Sequence, residues 1–464
     1  MRYISTRGQA PVLPFEEAML SGLARDGGLY VPEELPLLTR DMLSGMAGQP
    51  YEELAVRVMH PFVGDCFDED TFRGVVARAY AGFRHAVRCP LVQIGANDWL
   101  LELHHGPTLA FKDVAMQLIG QMFAEVLARR GERVTIVGAT SGDTGSAAIE
   151  AFRGNSVADV FILYPEGRVS EVQRRQMTTP AEANVHAVAV EGTFDDCQAL
   201  VKAMFNDFAF RDEVGLAAIN SINWARILAQ IVYYVTSAVA LGAPARPVSF
   251  AVPTGNFGDI YAGHVARRMG VPIETLVIAT NENDILHRTL GTGSYEKRAV
   301  EPTIAPSMDI QVSSNFERLL HELYDGDGLA VADTMRELAE SGAFTLPQGA
   351  LERLRAGFAS GRADAETTRA MIARMHAGTG QVLDPHTAIG VVAAEANRGD
   401  PTIPMVTLAT AHAAKFPDAV EEACGIRPAL PPGLADLYER EERITRVGND
   451  LAAVETLIRT NRTA

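Results

Sequence analysis

The strongest constraint in this sequence is a recurring order: an apolar strand, a loop of small residues, then a helix. "RVTIVGATSGDTGSAAIEAFRG", from Arg133 to Gly154, runs that way, and "PVSFAVPTGNFGDIYAGHVARRMG", from Pro247 to Gly270, repeats it. "WLLEL", "DVFILYP", "NVHAVAV", "IETLVIATN" and "PMVTLAT" also have strand character, and "NVHAVAV" leads into the helical "FDDCQALVKAMFNDF". Strands that alternate with helices predict an α/β protein with parallel sheets covered on both faces. The first ninety or so residues differ, since "YEELAVRVMHPF" and "EDTFRGVVARAYAGF" carry helical apolar spacing. At 464 residues the chain is too long for one core. The expected organisation is a helical amino-terminal domain over 1–92 and a large α/β domain over 93–132 and 242–430. A smaller mobile α/β domain over 133–241 and a helical tail over 431–464 complete it.

Charge and cysteine usage narrow the function. A net charge of −17 repels phosphate backbones and argues against a nucleic-acid partner. An anionic small-molecule substrate would need a local basic pocket inside that acidic exterior. The four cysteines have no C-x-x-C spacing, so neither a disulfide framework nor a zinc knuckle is indicated. The amino terminus lacks the apolar core of a signal peptide. The uncharged run between Arg226 and Arg246 is interrupted by Gln230, Thr236 and Ser237, and reads as a buried helix rather than a membrane span. A cytoplasmic protein without a membrane partner is expected, as a monomer or homodimer.

One lysine stands out. In "HGPTLAFKDVAMQLIGQMF", Lys112 follows Leu109, Ala110 and Phe111 and opens a helix that Arg129, Arg130 and Gly131 suit at its far end. At a helix start an ammonium faces the positive end of the dipole, which disfavours it by a few tenths to about 1 kcal/mol. Desolvation acts in the same direction. Such an amine loses its proton readily and can condense with an aldehyde. Alone, the segment is better read as a lysine snorkelling from an apolar patch.

The loops add anion sites. "PTGNFGD" places Gly255 and Gly258 between a strand and a helix starting near Asp259, where backbone N–H groups can converge on an anion. Alone it is an ordinary tight turn. "GATSGDTGS" offers the hydroxyls of Ser141 and Thr144, but it lacks the lysine of a phosphate-binding NTPase loop, and neither loop reads G-x-G-x-x-G. An amine that loses its proton, together with a phosphate cradle, is what pyridoxal phosphate requires. Thr410, just after the strand "PMVTLAT", offers a hydroxyl for the pyridine nitrogen. A hydroxyl there leaves that nitrogen largely unprotonated, which disfavours transamination relative to elimination or replacement.

With these residues in view, the chain resembles the threonine synthase family, in its branch with a long helical amino-terminal region. "YISTRG", "HGPTLAFKD", "ATSGDTGSAA", "NSINWARILAQ", "VPTGNFGDIYAG", "TNENDILHR" and "APSMDIQVSSNFERLL" carry the resemblance in order along nearly the whole chain. It implies the tryptophan-synthase-β-like fold (fold type II) and pyridoxal 5'-phosphate as cofactor, with Lys112 as the Schiff-base lysine and general acid/base. It puts Gly255, Asn256, Phe257, Gly258 and Asp259 on the cofactor phosphate and Thr410 at the pyridine nitrogen. Ser221, Asn223 and Arg226 fall on a pocket for the substrate phosphate. Ser141, Asp143 and Thr144 fall on a loop facing the substrate carboxylate and the cofactor ring. The implied reaction turns O-phospho-L-homoserine and water into L-threonine and phosphate. Relatives of the wider fold often place asparagine where this chain has Asp143. A carboxylate there would repel the ring oxygen, so Asp143 is expected to point elsewhere or to share a proton. A dehydratase, a phospho-lyase that stops before water is added, and a non-catalytic phosphate-ligand module are the competing readings.

Arg226 precedes the long apolar run and suits a phosphate with its planar fork. Arg174 and Arg175 are expected on a solvated face, and His104 and His105 in strand-end packing. Asp384 and Pro385 read as the cap and first residue of a buried helix, with His386 facing the site without taking part in chemistry.

Overall fold

A computed structural model describes residues 1–140, 142–217 and 221–463. Two sheets organise it. The larger has the strand order Phe358–Arg362, Ile273–Thr280, Val248–Pro253, Met405–Ala409, Asp98–Glu102, Leu91–Gln93. Its neighbours run parallel except for the last pair, where Leu91 faces Leu101 in antiparallel register. The smaller sheet is all parallel, in the order Thr445–Gly448, Val185–Glu191, Ala158–Pro165, Val134–Ala139, Leu216–Ala217.

Burial explains why the inner strands read as continuous apolar runs. Every residue of Val248–Pro253 and of Met405–Ala409 is buried, as parallel strands covered on both faces require. The helix Pro385–Ala396 covers one face of the large sheet, capped by Asp384 as expected. On the other side the helix Trp224–Ala240 packs among Gly258–Arg268, Lys112–Arg130 and Tyr51–Val63.

The structure redraws three expected boundaries. The amino-terminal region is not purely helical: Leu13–Pro14, Arg2–Ser5 and Tyr30–Pro32 form a small antiparallel sheet of strands too short to show a period. The apolar run after Arg226 is a buried helix, but it packs on the helices of the large sheet rather than with the smaller one. The tail contributes the edge strand Thr445–Gly448, and Val454 and Ile458 of its helix enter the core beside Phe161 and Leu200. Arg174, expected on a solvated face, ties this tail down through Glu442, donating from Nε and Nη2 at 2.9 and 3.0 Å.

The helix Lys112–Arg130 joins the two sheets by crossing Asp143–Phe152 at Gly120. A Cβ there would lie 2.3 Å from the Ala151 carbonyl oxygen. Gly120→Ala is expected to destabilise the protein by about 1–3 kcal/mol, because neither backbone can retreat from a packed crossing. A lowered thermal midpoint checks it, and an unchanged one refutes the close crossing.

Candidate active site

The site lies at the carboxyl ends of the strands, where open α/β sheets bind ligands. Chain segments leaving Pro253, Ala409 and Ala139 meet there with the amino terminus of the Lys112 helix. The residues lining a narrow cleft include Phe111, Lys112, Asp143, Thr144, Ser221 and Arg226. Thr254 to Asp259, Ser307, His386 and Thr410 line it too.

Lys112 and Thr410 are brought together by backbone pairing. Phe111 N–H donates to the Thr410 carbonyl at 2.8 Å and His412 N–H to the Leu109 carbonyl at 3.0 Å, around a single bridge between Ala110 and Ala411. Leu109 takes a left-handed conformation (φ +67°) to turn the chain into the helix, at a cost of roughly 1–2 kcal/mol for a non-glycine residue. Lys112 is then buried, with Nζ 4.8 Å from the Phe111 ring centre and donating to Asp143 Oδ2 at 3.2 Å. Burial lowers its pKa below the ordinary lysine value, and the Lys415 and Arg226 charges act in the same direction. A proton-poor amine was the sequence expectation, and its seat is as dry as expected.

The glycine loop is clasped from behind. Ser313 Oγ donates to the Gly255 carbonyl at 2.6 Å, and Asn315 donates to the Asn256 carbonyl from both its backbone N and Nδ2 at 3.0 Å. In a trans peptide the next N–H points opposite to the carbonyl. The amides of Asn256 and Phe257 are therefore turned away from the clasp, and those of Gly258 and Asp259 open the helix Gly258–Arg268. Phe257 sits at φ +63°, a strained value that the loop imposes. A Cβ on Gly255 would meet the Ser307 carbonyl oxygen at 2.8 Å and Ile310 Cδ1 at 2.9 Å, so only glycine fits this cradle. Gly255→Ala is expected to weaken cofactor binding roughly tenfold or more by displacing an amide; equilibrium dialysis with pyridoxal phosphate measures it. The Asp259 side chain turns the other way. Its Oδ1 accepts from Tyr233 and Tyr234 at 2.5 and 2.8 Å, and burial raises its pKa to about 6. Asp259 thus offers the cradle a backbone amide rather than a carboxylate.

Arg226 stands in the first turn of its helix, inside rather than before it. It is buried, its Nη1 has no hydrogen-bond partner among the described residues, and burial pushes its pKa down to about 10. A buried guanidinium with an unpartnered nitrogen aimed at a cleft fits an incoming anion. Asn223 does not line this cleft. It is the helix N-cap, with Oδ1 accepting from Ala225 N–H at 3.0 Å and Nδ2 donating to the Met19 carbonyl at 2.7 Å. Both side-chain atoms of this residue, expected at the substrate phosphate, bond to backbone. Ser221 and Thr144 do line the cleft. Ser141 lies outside the described residues, as does Asn220 of the "NSINWARILAQ" block.

Asp143 is the surprise. Burial alone would raise its pKa, but Lys112 and Lys415 hold it well below the usual carboxylate range. It lines the cleft, with Oδ2 facing Lys112 and Oδ1 facing Lys415. Lys415, fully buried and unremarked in the sequence, donates to Asp143 Oδ1 and to the Thr108 carbonyl, each at 2.8 Å. Gln173 Nε2 donates to Oδ1 at 2.9 Å and Ser307 Oγ to Oδ2 at 3.0 Å. His386 faces the cleft, with Nδ1 2.8 Å from Asp384 Oδ1 and Nε2 accepting from Ser307 N–H at 3.3 Å.

A dry lysine amine, a glycine-bounded amide cradle and a second buried cation in one cleft are the fittings of a pyridoxal-phosphate dependent enzyme of fold type II. The family model for pyridoxal-phosphate dependent enzymes matches residues 86–361. The "Threonine synthase N terminus" model matches residues 2–80 and "Threonine synthase, C-terminal" matches 387–458. This chain belongs to the threonine synthase family. It is 54% identical to a threonine synthase from Pseudomonas aeruginosa over 99% of this chain and 98% of that one. A pyridoxal-phosphate-bound threonine synthase from Brucella melitensis superposes with a TM-score of 0.98 at 56% identity over 100% of both chains. Yeast threonine synthase gives 0.94 at 40% identity over 99% and 98%. A maize serine racemase, 13% identical with a TM-score of 0.51 over 74% of this chain and 92% of that one, shares the fold alone.

Proposed function

We propose that this enzyme converts O-phospho-L-homoserine and water to L-threonine and phosphate. The observation that carries this reading is Arg226: a second buried cation lining the same cleft as Lys112, its Nη1 without a hydrogen-bond partner among the described residues, and distinct from the Gly255–Asp259 cradle. A cofactor cradle and a separate guanidinium suit a substrate with its own phosphate.

Lys112 would hold the cofactor aldehyde, the Gly255–Asp259 amides its phosphate, and Thr410 its pyridine nitrogen. Bound there, pyridoxal phosphate supplies an electron sink for the charge left at the substrate Cα. Lys112 Nζ removes the Cα proton and later returns it, a task for an amine whose pKa is lowered by burial. Arg226 meets the phosphate as it leaves Cγ with growing charge, so it assists turnover as well as binding. Thr144, together with Ser141, would hold the substrate carboxylate, while Ser221 borders the phosphate end and Asn223 positions Arg226 by capping its helix. The buried walls limit water to the one that adds at Cβ. No helix among the described residues is long and apolar enough to cross a membrane.

Incubating the cofactor-loaded enzyme with O-phospho-L-homoserine tests this reading. Threonine and inorganic phosphate in equal amounts are expected. 2-Oxobutanoate as the main product would instead establish a lyase that stops before hydration.

A further inference from the structure

The cleft holds two lysines against one carboxylate. Asp143 Oδ2 takes Lys112 at 3.2 Å, and Oδ1 takes Lys415 at 2.8 Å. With both amines protonated the trio carries a surplus positive charge in a buried place, which is costly. Charge balances when one lysine gives up its proton. The surroundings decide which. Lys415 is fully enclosed, and its ammonium is held at both ends, by Asp143 and by the Thr108 carbonyl at 2.8 Å. Lys112 has the longer contact, and its other near neighbour is the Phe111 ring.

Asp143 is built to let Lys112 go. Without it, Oδ1 still accepts from Lys415 and from Gln173 at 2.9 Å, and Oδ2 from Ser307 at 3.0 Å. Neither carboxylate oxygen is orphaned when the amine leaves to do chemistry.

We propose that Lys415 is a positioning residue for the reaction: it is the standing counter-ion of Asp143, which frees Lys112 to serve as a neutral amine. The inference rests on the reading that Lys112 holds the cofactor. The other charged or titratable groups near the pair are committed elsewhere. Asp113 accepts from Thr108 N–H and Oγ1 at 2.8 and 2.7 Å, Asp259 from Tyr233 and Tyr234, and His386 is paired with Asp384. Arg226 faces the cleft as a further cation and adds to the pressure on Lys112 to lose its proton. The arrangement also answers the repulsion expected between an ionised Asp143 and the cofactor ring oxygen, because the carboxylate keeps a lysine of its own.

Removing the Lys415 charge leaves Lys112 as the sole cationic partner of Asp143, so Lys112 binds its proton more tightly. The test is the rate at which full-length apoenzyme develops its visible band with pyridoxal 5'-phosphate, followed across pH for wild type, Lys415→Met and Lys415→Gln. Both variants are expected to shift the pH midpoint upward by about one unit, and so to react roughly tenfold more slowly near neutrality. Lys415→Gln keeps donors for Asp143 and Thr108, and it carries the test if Lys415→Met does not fold. A structural role alone would lower the melting temperature without moving the midpoint. A wild-type midpoint in a folded variant therefore overturns the proposal. Absence of a band in wild type would instead overturn the reading on which it rests.

Discussion

Lys112→Ala is expected to abolish the visible cofactor band and to lower threonine formation by at least about 10³-fold, since in the proposed reaction one amine serves as both tether and proton carrier. The fold should survive the change. Lys112 makes one polar contact, and Asp143 keeps Lys415, Gln173 and Ser307 when it is gone. Because Asp143 keeps these partners, the apoenzyme should melt close to the wild-type temperature. Absorbance spectra, a product assay and thermal melts on one preparation check all three. A variant that loses activity only because it unfolds would not support the role given to this lysine.

Arg226→Ala is expected to lower kcat/KM for O-phospho-L-homoserine by about 10²–10³-fold, with kcat itself reduced, if the guanidinium meets charge that grows as phosphate leaves, as proposed. Cofactor affinity should change little, since the cradle amides belong to another loop. The stability effect should run the opposite way to the catalytic one. Arg226 is buried and its Nη1 has no hydrogen-bond partner among the described residues, so its removal is expected to relieve a cost of about 1–3 kcal/mol in the free protein. Arg226→Lys should fall between the two enzymes, as a point charge replaces a planar fork. Steady-state kinetics with paired melts separate these effects. A variant that loses stability and cofactor together would make Arg226 a structural residue.

The sequence made legible the features that are local in the chain. Lys112 could be read from its dry approach and helix start, the cradle from two glycines between strand and helix, and Asp384 from its position before Pro385. The parallel strands announced themselves because both their faces are buried. What stayed hidden depends on partners distant in sequence. The clasp on the cradle comes from Ser313 and Asn315, 58 and 59 residues beyond the carbonyls they hold. Lys415 lies 307 residues from the Thr108 carbonyl it anchors, and no motif in its own stretch singles it out. Its flanking Ala413, Ala414 and Phe416, all buried, were the one available signal. Thr445–Gly448 escaped notice because an exposed edge strand carries no apolar alternation. Asn223 was placed in the substrate pocket because its neighbours are there, whereas a helix cap is decided by backbone geometry one turn away.

The most direct measurement is borohydride reduction of the cofactor-loaded enzyme followed by peptide mapping. Reduction should fix the pyridoxyl group to the Lys112 Nζ, in the peptide containing "TLAFKD". A label on Lys415, the other lysine against Asp143, or on any other side chain would contradict the account.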